Sequence, residues 1–321
     1  MMNKLNRCPS TLVVESASYS PIALRNLFDG RKVSHILPYL PIAVSEEDAT
    51  AFLTNTKHIS ISGVQSKYGL VIDNNMFVLA QEEEQSTYIL KPKPAGLRLP
   101  GEIPANENLT MQIAEQVYDI ETASNALCFF ENGEIAYITR RFDIDNLDNK
   151  LRMEDFASLA GIASGTDSGM KYDYSYEEMA DLIEKYIPAW RIEMVKFFRQ
   201  VVFNFLFSNG DAHLKNFSIL ETPDGDFKLS PAYDLLNTRL HVDDTDFALK
   251  KGLFKESDAS VFKMGTQVNG ATFKSFGLKI GLPSTVVDRE LSNFAMKHPQ
   301  IEELINKSYL EDKTKRAYLM H

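Results

Sequence analysis

Residues 192–216, IEMVKFFRQVVFNFLFSNGDAHLKN, carry an apolar helical run straight into a cluster of acidic, amide and basic side chains. Ile192, Val195, Phe198, Val202, Phe205 and Leu206 recur at helical spacing, and Phe197, Val201 and Phe203 thicken that face. A helix this apolar is expected to be buried on most sides and to form the spine of its lobe. NGDAHLKN, residues 209–216, is too polar to continue into a core. Phosphoryl transfer needs a carboxylate to orient the attacking hydroxyl, an amide or carboxylate to hold Mg²⁺, and a cation near the transferred group. Asp211, Asn216 and either His213 or Lys215 can supply these in turn. Asn216 follows Asp211 by five residues, the spacing of a protein-kinase catalytic loop.

Downstream, FKLSPAYDLLN (residues 227–237) puts Asp234 after a strand-like run and a turn at Pro231, a suitable place for a second metal ligand. Upstream, YILK (residues 88–91) ends an apolar strand on Lys91. Glu107 is expected to open the helix after a proline-rich loop, with Asn106 as N-cap, and to pair with Lys91. A single loop aspartate is usually solvated and locally capped. A kinase-spaced pair, a later aspartate and a strand-ending lysine together favour chemistry. The phosphate loop would be HISISGVQSKYG, residues 58–69, where Gly63 lets backbone N–H groups approach a phosphate; it matches neither GxxxxGK[ST] nor a full GxGxxG.

Around these motifs the chain divides by period. Residues 68–72, 76–79 and 88–90 read as strands, the first two joined across Asp73-Asn74-Asn75, and residues 136–139 resume strand character. The stretch KPKPAGLRLPGEIP, residues 91–104, is a rigid loop. Helices are expected over residues 107–117, 154–160, 176–186 and 192–207, with a final one capped by Ser284 and running toward His298. No period of 20 to 50 residues repeats. Mostly β first and mostly α second predicts an α+β, bilobal kinase-like fold: a small β-rich N-lobe and a larger, mostly helical C-lobe.

Composition is that of an ordinary globular protein: 321 residues, 44% hydrophobic, 24% charged. The net charge of -10 repels nucleic acid, so any association with DNA should pass through a partner. There is no signal-peptide-like start and no run of about 18 apolar residues, which points to a soluble cytoplasmic protein away from membranes. Cys8 and Cys128 are expected to be free thiols, and the six histidines form neither HExxH nor a His/Cys cluster.

In order, SISGVQSK, YILKP, Asn106-Glu107, RRFD, Glu154-Asp155, NGDAHLKNFS and SPAYDLLN resemble the HipA-type toxin kinases, from about Ser60 to the C-terminal region. The resemblance implies a bilobal kinase that uses ATP and Mg²⁺ to phosphorylate serine or threonine on a host protein, an aminoacyl-tRNA synthetase being one candidate, as the toxin of a toxin–antitoxin system. Asp211 becomes the catalytic aspartate, Asn216 and Asp234 the metal ligands, and Lys91 the α/β-phosphate lysine. Gly63, Val64, Gln65, Ser66 and Lys67 form the loop over the nucleotide, with Glu107, His213 and Lys215 also lining its site. Arg140, Arg141 and Phe142 become the hinge whose backbone holds adenine, with Asp143 near the ribose. Ser60 falls at the family's loop serine and Ser62 adds a second hydroxyl, so either is expected to be autophosphorylated, silencing the kinase.

Two features depart from the family. About 59 residues precede the phosphate loop where longer members carry a subdomain, which resembles the short HipT-like kinases of tripartite systems. There, a separate small protein corresponds to the missing subdomain and a DNA-binding antitoxin completes the assembly. Ser66 stands where relatives often have proline or glutamate. The expected division is a short N-terminal region (1–59), an N-lobe with the phosphate loop (60–141) and a helical C-lobe (142–321). The same catalytic parts would serve a small-molecule or lipid kinase equally well. A non-enzymatic ATP-binding regulator is opposed by the intact Lys91, Asp211, Asn216 and Asp234.

Overall fold

Asn74 and Asn75 both take positive φ, 47° and 64°, the left-handed conformation that asparagine tolerates and a two-residue hairpin turn requires. They join β1 (Tyr68–Asp73) to β2 (Met76–Leu79) in the computed structural model, which describes residues 5–41, 65–94, 97–145, 147–162, 169–255 and 267–320. With β3 (Tyr88–Lys91), β4 (Asn125–Phe129) and β5 (Ile135–Arg140) they form an antiparallel sheet in the order β2-β1-β3-β5-β4. Every residue of β4 is buried, so it shows no alternation in the sequence and was not expected as a strand.

Both faces of this sheet are covered. On one, helix α1 (Pro21–Phe28) and its flanks bring Cys8, Tyr19, Leu27, Phe28, Val33 and Leu37 against strand residues such as Leu70, Phe77 and Ile138. On the other, α2 (Ile103–Tyr118) sets Leu109, Ile113 and Ala114 against Leu127 and Tyr137. The described part of the N-terminal region is therefore one layer of the β-rich lobe. Cys8 and Cys128 are both buried free thiols.

Helix α2 begins at Ile103, four residues earlier than expected, because Pro104 sits in its first turn, where a missing N–H leaves no bond unmade. Asn106 is accordingly not an N-cap but a fully buried residue inside the helix. The expected helix over 154–160 is also corrected. Met153–Asp155 is strand β6, pairing with β7 (Ser218–Glu221), which pairs with β8 (Phe227–Leu229). Only Phe156–Leu159 is helical (α3), capped by Asp155, which accepts a 2.8 Å bond from Ser158 N–H. A distant strand partner overrides local propensity there.

Helix α4 (Tyr176–Tyr186) has the expected bounds and a Ser175/Glu178 capping box. The spine helix α5 (Trp190–Leu206) buries Phe197, Phe198, Val201, Val202 and Phe203, while Ile192 is 66% exposed despite its apolar spacing. Helices α6 (Gly270–Lys279) and α7 (Ser284–Ala295) follow. Pro283, not Ser284, is the N-cap of α7, and α7 is not the last helix. Helices α8 (Pro299–Lys307) and α9 (Asp312–Met320) return to place Leu304, Ile305 and Tyr318 in the cluster around α2. Arg7 locks this return by donating to the Lys307 and Ser308 carbonyls at 2.7 and 2.8 Å. No helix among the described residues is long and apolar enough to cross a membrane.

Gly277 of α6 packs closely against Val287 of α7 and Phe198 of the spine. A Cβ there would lie 2.7 Å from Val287 Cγ2 and 3.0 Å from Phe198 Cε2. Gly277→Ala should lose about 1–3 kcal/mol of stability, read as a lower urea midpoint at unchanged m-value.

Candidate active site

Strand alternation builds the site. Tyr88 and Leu90 of β3 point into the α1 cluster, so Lys91 points to the opposite face, toward α2. Its Nζ lies 2.6 Å from Glu107 Oε1, is ion-paired with Asp234 Oδ1, and sits 5.2 Å from the centre of the Tyr137 ring. Lys67 reaches the second oxygen of Asp234 at 3.3 Å. Glu107, Lys91, Asp234 and Lys67 thus form one chain of alternating charge running from α2 to the segment after β8. Burial alone would discharge Lys91, but Asp234 and Glu107 outweigh it and raise the ammonium pKa. Burial likewise works against an ionised Asp234, and Lys67 and Lys91 outweigh it, holding the carboxyl well below the ordinary range.

Asp234 has φ of 56°, a left-handed conformation that costs a non-glycine residue and recurs at functional sites. Two buried asparagines brace its segment. Asn209 donates to the Asp234 carbonyl at 3.4 Å. Asn106, one residue before Glu107, donates to the Asn237 carbonyl at 2.8 Å and accepts from the Asn237 N–H at 3.1 Å. The remaining capacity of that amide is also used: its oxygen accepts from the Thr110 hydroxyl and its nitrogen donates to His241 Nε2. His241 Nδ1 faces the Arg98 carbonyl at 2.9 Å and must be the protonated nitrogen, which leaves Nε2 as an acceptor.

The other half of the site follows α5. Gly210 is forced by space, because a Cβ would lie 2.5 Å from Asp244 Cγ and 2.7 Å from the Thr245 carbonyl. Asp211, next in the chain, is buried and accepts a 2.9 Å hydrogen bond from the Tyr172 hydroxyl. Burial raises its pKa to about 6 against the opposing effects of Tyr172 and Lys171. His213 Nε2 is 3.7 Å from Asp211 Oδ1, beyond hydrogen-bond reach, and neither ring nitrogen has a partner among the described residues. Burial, reinforced by Lys171, pushes this imidazole down to about 3, so it is uncharged at neutral pH and is not a cation for phosphate. Lys215 is exposed.

Asn216 ends the turn Leu214–Asn216 and is buried. The Tyr233 hydroxyl bonds Ser218 Oγ at 2.6 Å and donates to the Lys215 carbonyl at 2.9 Å, tying the residue before Asp234 to the segment carrying Asn216. One carboxylate and one amide are hard oxygen donors suited to Mg²⁺ that is also held by substrate phosphates. Among the described residues no group of three or more His, Cys, Asp or Glu could hold a metal unaided.

The hinge positions divide between two roles. Arg140 turns to the α1 face and grips Asp29 through both carboxylate oxygens, at 2.7 and 3.0 Å. Arg141 grips Asp143 at 2.9 and 2.6 Å. Their backbone N–H groups bond the Ser124 and Thr87 carbonyls. The Phe142 ring lies 5.6 Å from that of Tyr233. Gln65 donates to the Pro92 carbonyl at 3.0 Å, and Ser66 is half-buried. Ser60, Ser62, Gly63 and Val64 lie outside the described residues.

Residues 59–301 match the model of the HipA-like C-terminal domain. The chain belongs to this family. Within it, the chain is 27% identical over 311 residues to a provisionally named kinase of Haemophilus influenzae, covering 92% of this chain and 87% of that one. It is 24% identical over 282 residues to the serine/threonine-protein kinase toxin HipA of Shewanella oneidensis, covering 82% and 61%. The solved Shewanella HipA, in a complex with HipB and operator DNA, superposes with a TM-score of 0.62 at 22% identity, over 88% of this chain and 70% of that chain. The bilobal fold of the HipA kinases is thereby shared.

Tyr172, which bonds Asp211, carries no pattern in the sequence, and Asn209 and Asn237 stand in the quoted motifs without a role that the sequence assigns, since nothing local marks a residue whose partner is tens of positions away. His241 adds a measurable signature. Burial lowers its pKa below the 6.5 of a free imidazole, so the unfolded chain binds more protons and stability is lost as pH falls below 6.5. The melting temperature of wild type should drop more steeply than that of His241→Gln between about pH 6.5 and 5, by calorimetry.

Proposed function

We propose that this chain is an ATP- and Mg²⁺-dependent kinase that transfers the γ-phosphoryl group to serine or threonine of a protein, acting as the toxin of a toxin–antitoxin system. The observation that carries this reading is Lys91, buried and held between Glu107 and an Asp234 whose carbonyl is bonded by Asn209 of the loop that carries Asp211 and, five residues on, Asn216. In kinases a strand lysine paired with a helix glutamate contacts the α- and β-phosphates, and Lys91 with Glu107 has that geometry. Asp211, largely ionised at neutral pH, would accept the hydrogen bond of the attacking hydroxyl and fix its direction. Asn216 and Asp234 would hold Mg²⁺, whose chemistry is to neutralise the phosphate oxygens. Lys67, bonded to Asp234, would tie the end of the phosphate loop to the metal-binding segment.

The partners proposed are a DNA-binding antitoxin and a small subdomain-like protein. The Shewanella complex supports the first by analogy, and a net charge of -10 agrees with DNA being reached through a partner. Autophosphorylation at Ser60 or Ser62 is proposed as the off-switch, since a charge of roughly -1.5 to -2 in a loop over ATP would repel the nucleotide.

The purified chain should move labelled phosphate from ATP to protein and not to lipid. Asp211→Asn and Asp234→Asn should each keep less than about one tenth of that transfer, because one loses the group orienting the hydroxyl and the other a metal ligand. Retained transfer in both variants, or label in lipid alone, rejects the assignment. In intact-mass spectra, wild type should gain phosphate on Ser60 or Ser62 and Asp211→Asn should not.

A further inference from the structure

Outside the candidate active site, a cavity of about 470 Å³ opens between the end of α2, the α5 spine and the start of the segment that follows β8. None of Lys91, Glu107, Asp211, Asn216 or Asp234 lines it. Its volume lies within the range of small-molecule sites. Buried Ile120, Leu229 and Ala232 give it an apolar wall, and charged and amide side chains supply the rest.

The charges around this cavity do not balance. Both cations that line it are committed. Lys196 Nζ lies 3.1 Å from Glu193 Oε1 and 3.4 Å from Glu121 Oε2, and Glu121 also meets Lys228 at 3.5 Å. Arg199 donates to Glu290 at 3.0 Å and to the Asp119 carbonyl at 2.9 Å. Two further carboxylates of the lining, Glu115 and Asp119, have no cationic partner among the described residues, and Glu115 meets only the Thr122 hydroxyl, at 3.5 Å. They stand four residues apart at the C-terminal end of α2, whose last turn carries no basic residue. Like charges at that spacing repel, and the C-terminal end of a helix dipole disfavours negative charge. A cation arriving there relieves both effects.

A second observation comes from α5. Gln200 is 8% exposed and lines the cavity, so what remains open of it opens there. Its side-chain amide makes no hydrogen bond to any described residue, although a carboxamide at that burial is ordinarily satisfied. A polar group of a ligand is the partner it lacks.

We propose that this cavity binds a small aliphatic diamine. Two uncommitted carboxylates favour two positive charges, the apolar wall takes the hydrocarbon stem, and the Gln200 carbonyl oxygen accepts from an ammonium. A lysine side chain from a partner would bring only one charge, whereas the volume holds the whole of a short diamine. A bare metal ion would leave the apolar wall without a role, and among the described residues no group of three or more His, Cys, Asp or Glu could hold one. The proposal stands apart from the kinase reading, since it requires neither ATP nor phosphoryl transfer.

The test titrates the full-length protein, without nucleotide, with 1,4-diaminobutane in a calorimeter, against 1,4-butanediol and against sodium chloride at matched ionic strength. The diamine should give saturable heat with a dissociation constant below about 1 mM, which neither control reproduces. Replacing both carboxylates, Glu115→Gln with Asp119→Asn, should weaken binding by at least about 10-fold, and Gln200→Leu by about 3-fold or more. Both carboxylates are exposed, so the double variant should melt no lower than wild type in the absence of the amine. No saturable heat with wild type, the same heat with butanediol or salt, or undiminished binding by either variant overturns the proposal. Each of those outcomes leaves the kinase reading intact, and a wild type inactive toward ATP leaves the amine site standing.

Discussion

A lysine charge buried in the interior is tolerated only when opposite charge meets it, and the site of this protein is organised around that constraint. Lys91 is 3% exposed, and its two carboxylate partners come from different elements, Glu107 from α2 and Asp234 from the segment after β8. Stripping either partner from a buried pair costs about 3–5 kcal/mol, most of it the penalty of an orphaned charge. The sheet, the helix and the Asp234 segment are therefore not free to choose their positions independently. Hydrophobic residues of similar size would stabilise the same spot as well. An ionic triad retained there is better explained by the chemistry it presents than by stability.

A second, uncharged tie runs parallel to the first. Asn106 spends all four of its hydrogen-bonding positions inside the protein, two of them on the backbone of Asn237, three residues past Asp234. Thr110, one turn further along α2, receives the Tyr318 hydroxyl of the last helix at 2.7 Å. The path from α9 through Thr110 and Asn106 to the backbone of Asn237 is a hydrogen-bonded polar network within an apolar cluster, although the buried side-chain amide of Asn237 has no partner among the described residues. Such networks specify one arrangement, because any shift leaves a buried donor or acceptor unmet. Helix α2 is consequently braced from behind by the C-terminal helices while it presents Glu107 in front.

How much of this was legible in the sequence depends on the range of the interaction that decides each element. The hairpin at Asn74-Asn75, the capping box of α4 and the apolar run of α5 are settled within a few residues, and each was readable. So was the pairing of Lys91 with Glu107, because a strand-ending lysine and a helix glutamate are a known juxtaposition. Strand β4 was not, since two-sided burial erases alternation, and neither was β6, whose identity depends on pairing with β7 some sixty residues away. The start of α2 was misplaced because Pro104 reads locally as a breaker, whereas the first turn of a helix is where proline fits. Asn106 was assigned the local job of its residue type, capping, when its partner lay beyond any sequence window.

The charge balance of the whole molecule opposes its task, and the site offsets it locally. A chain of net charge -10 repels an incoming nucleotide at long range. Screening weakens that repulsion within about 8 Å at physiological salt, so what an anion meets on arrival is set by the nearest groups. Lys67 and Lys91 converge on Asp234 and Glu107 backs Lys91, so two positive and two negative charges balance there against the net negative charge of the molecule. Fixed charges in a buried setting act at higher strength than the same charges spread over the surface. The Asp234 carboxylate, held in a left-handed conformation that its residue type adopts only at a cost, keeps the lysine pair together. The strain belongs to that arrangement: a segment fastened by Asn106 and Asn209 so that its carboxylate stays between the two lysines.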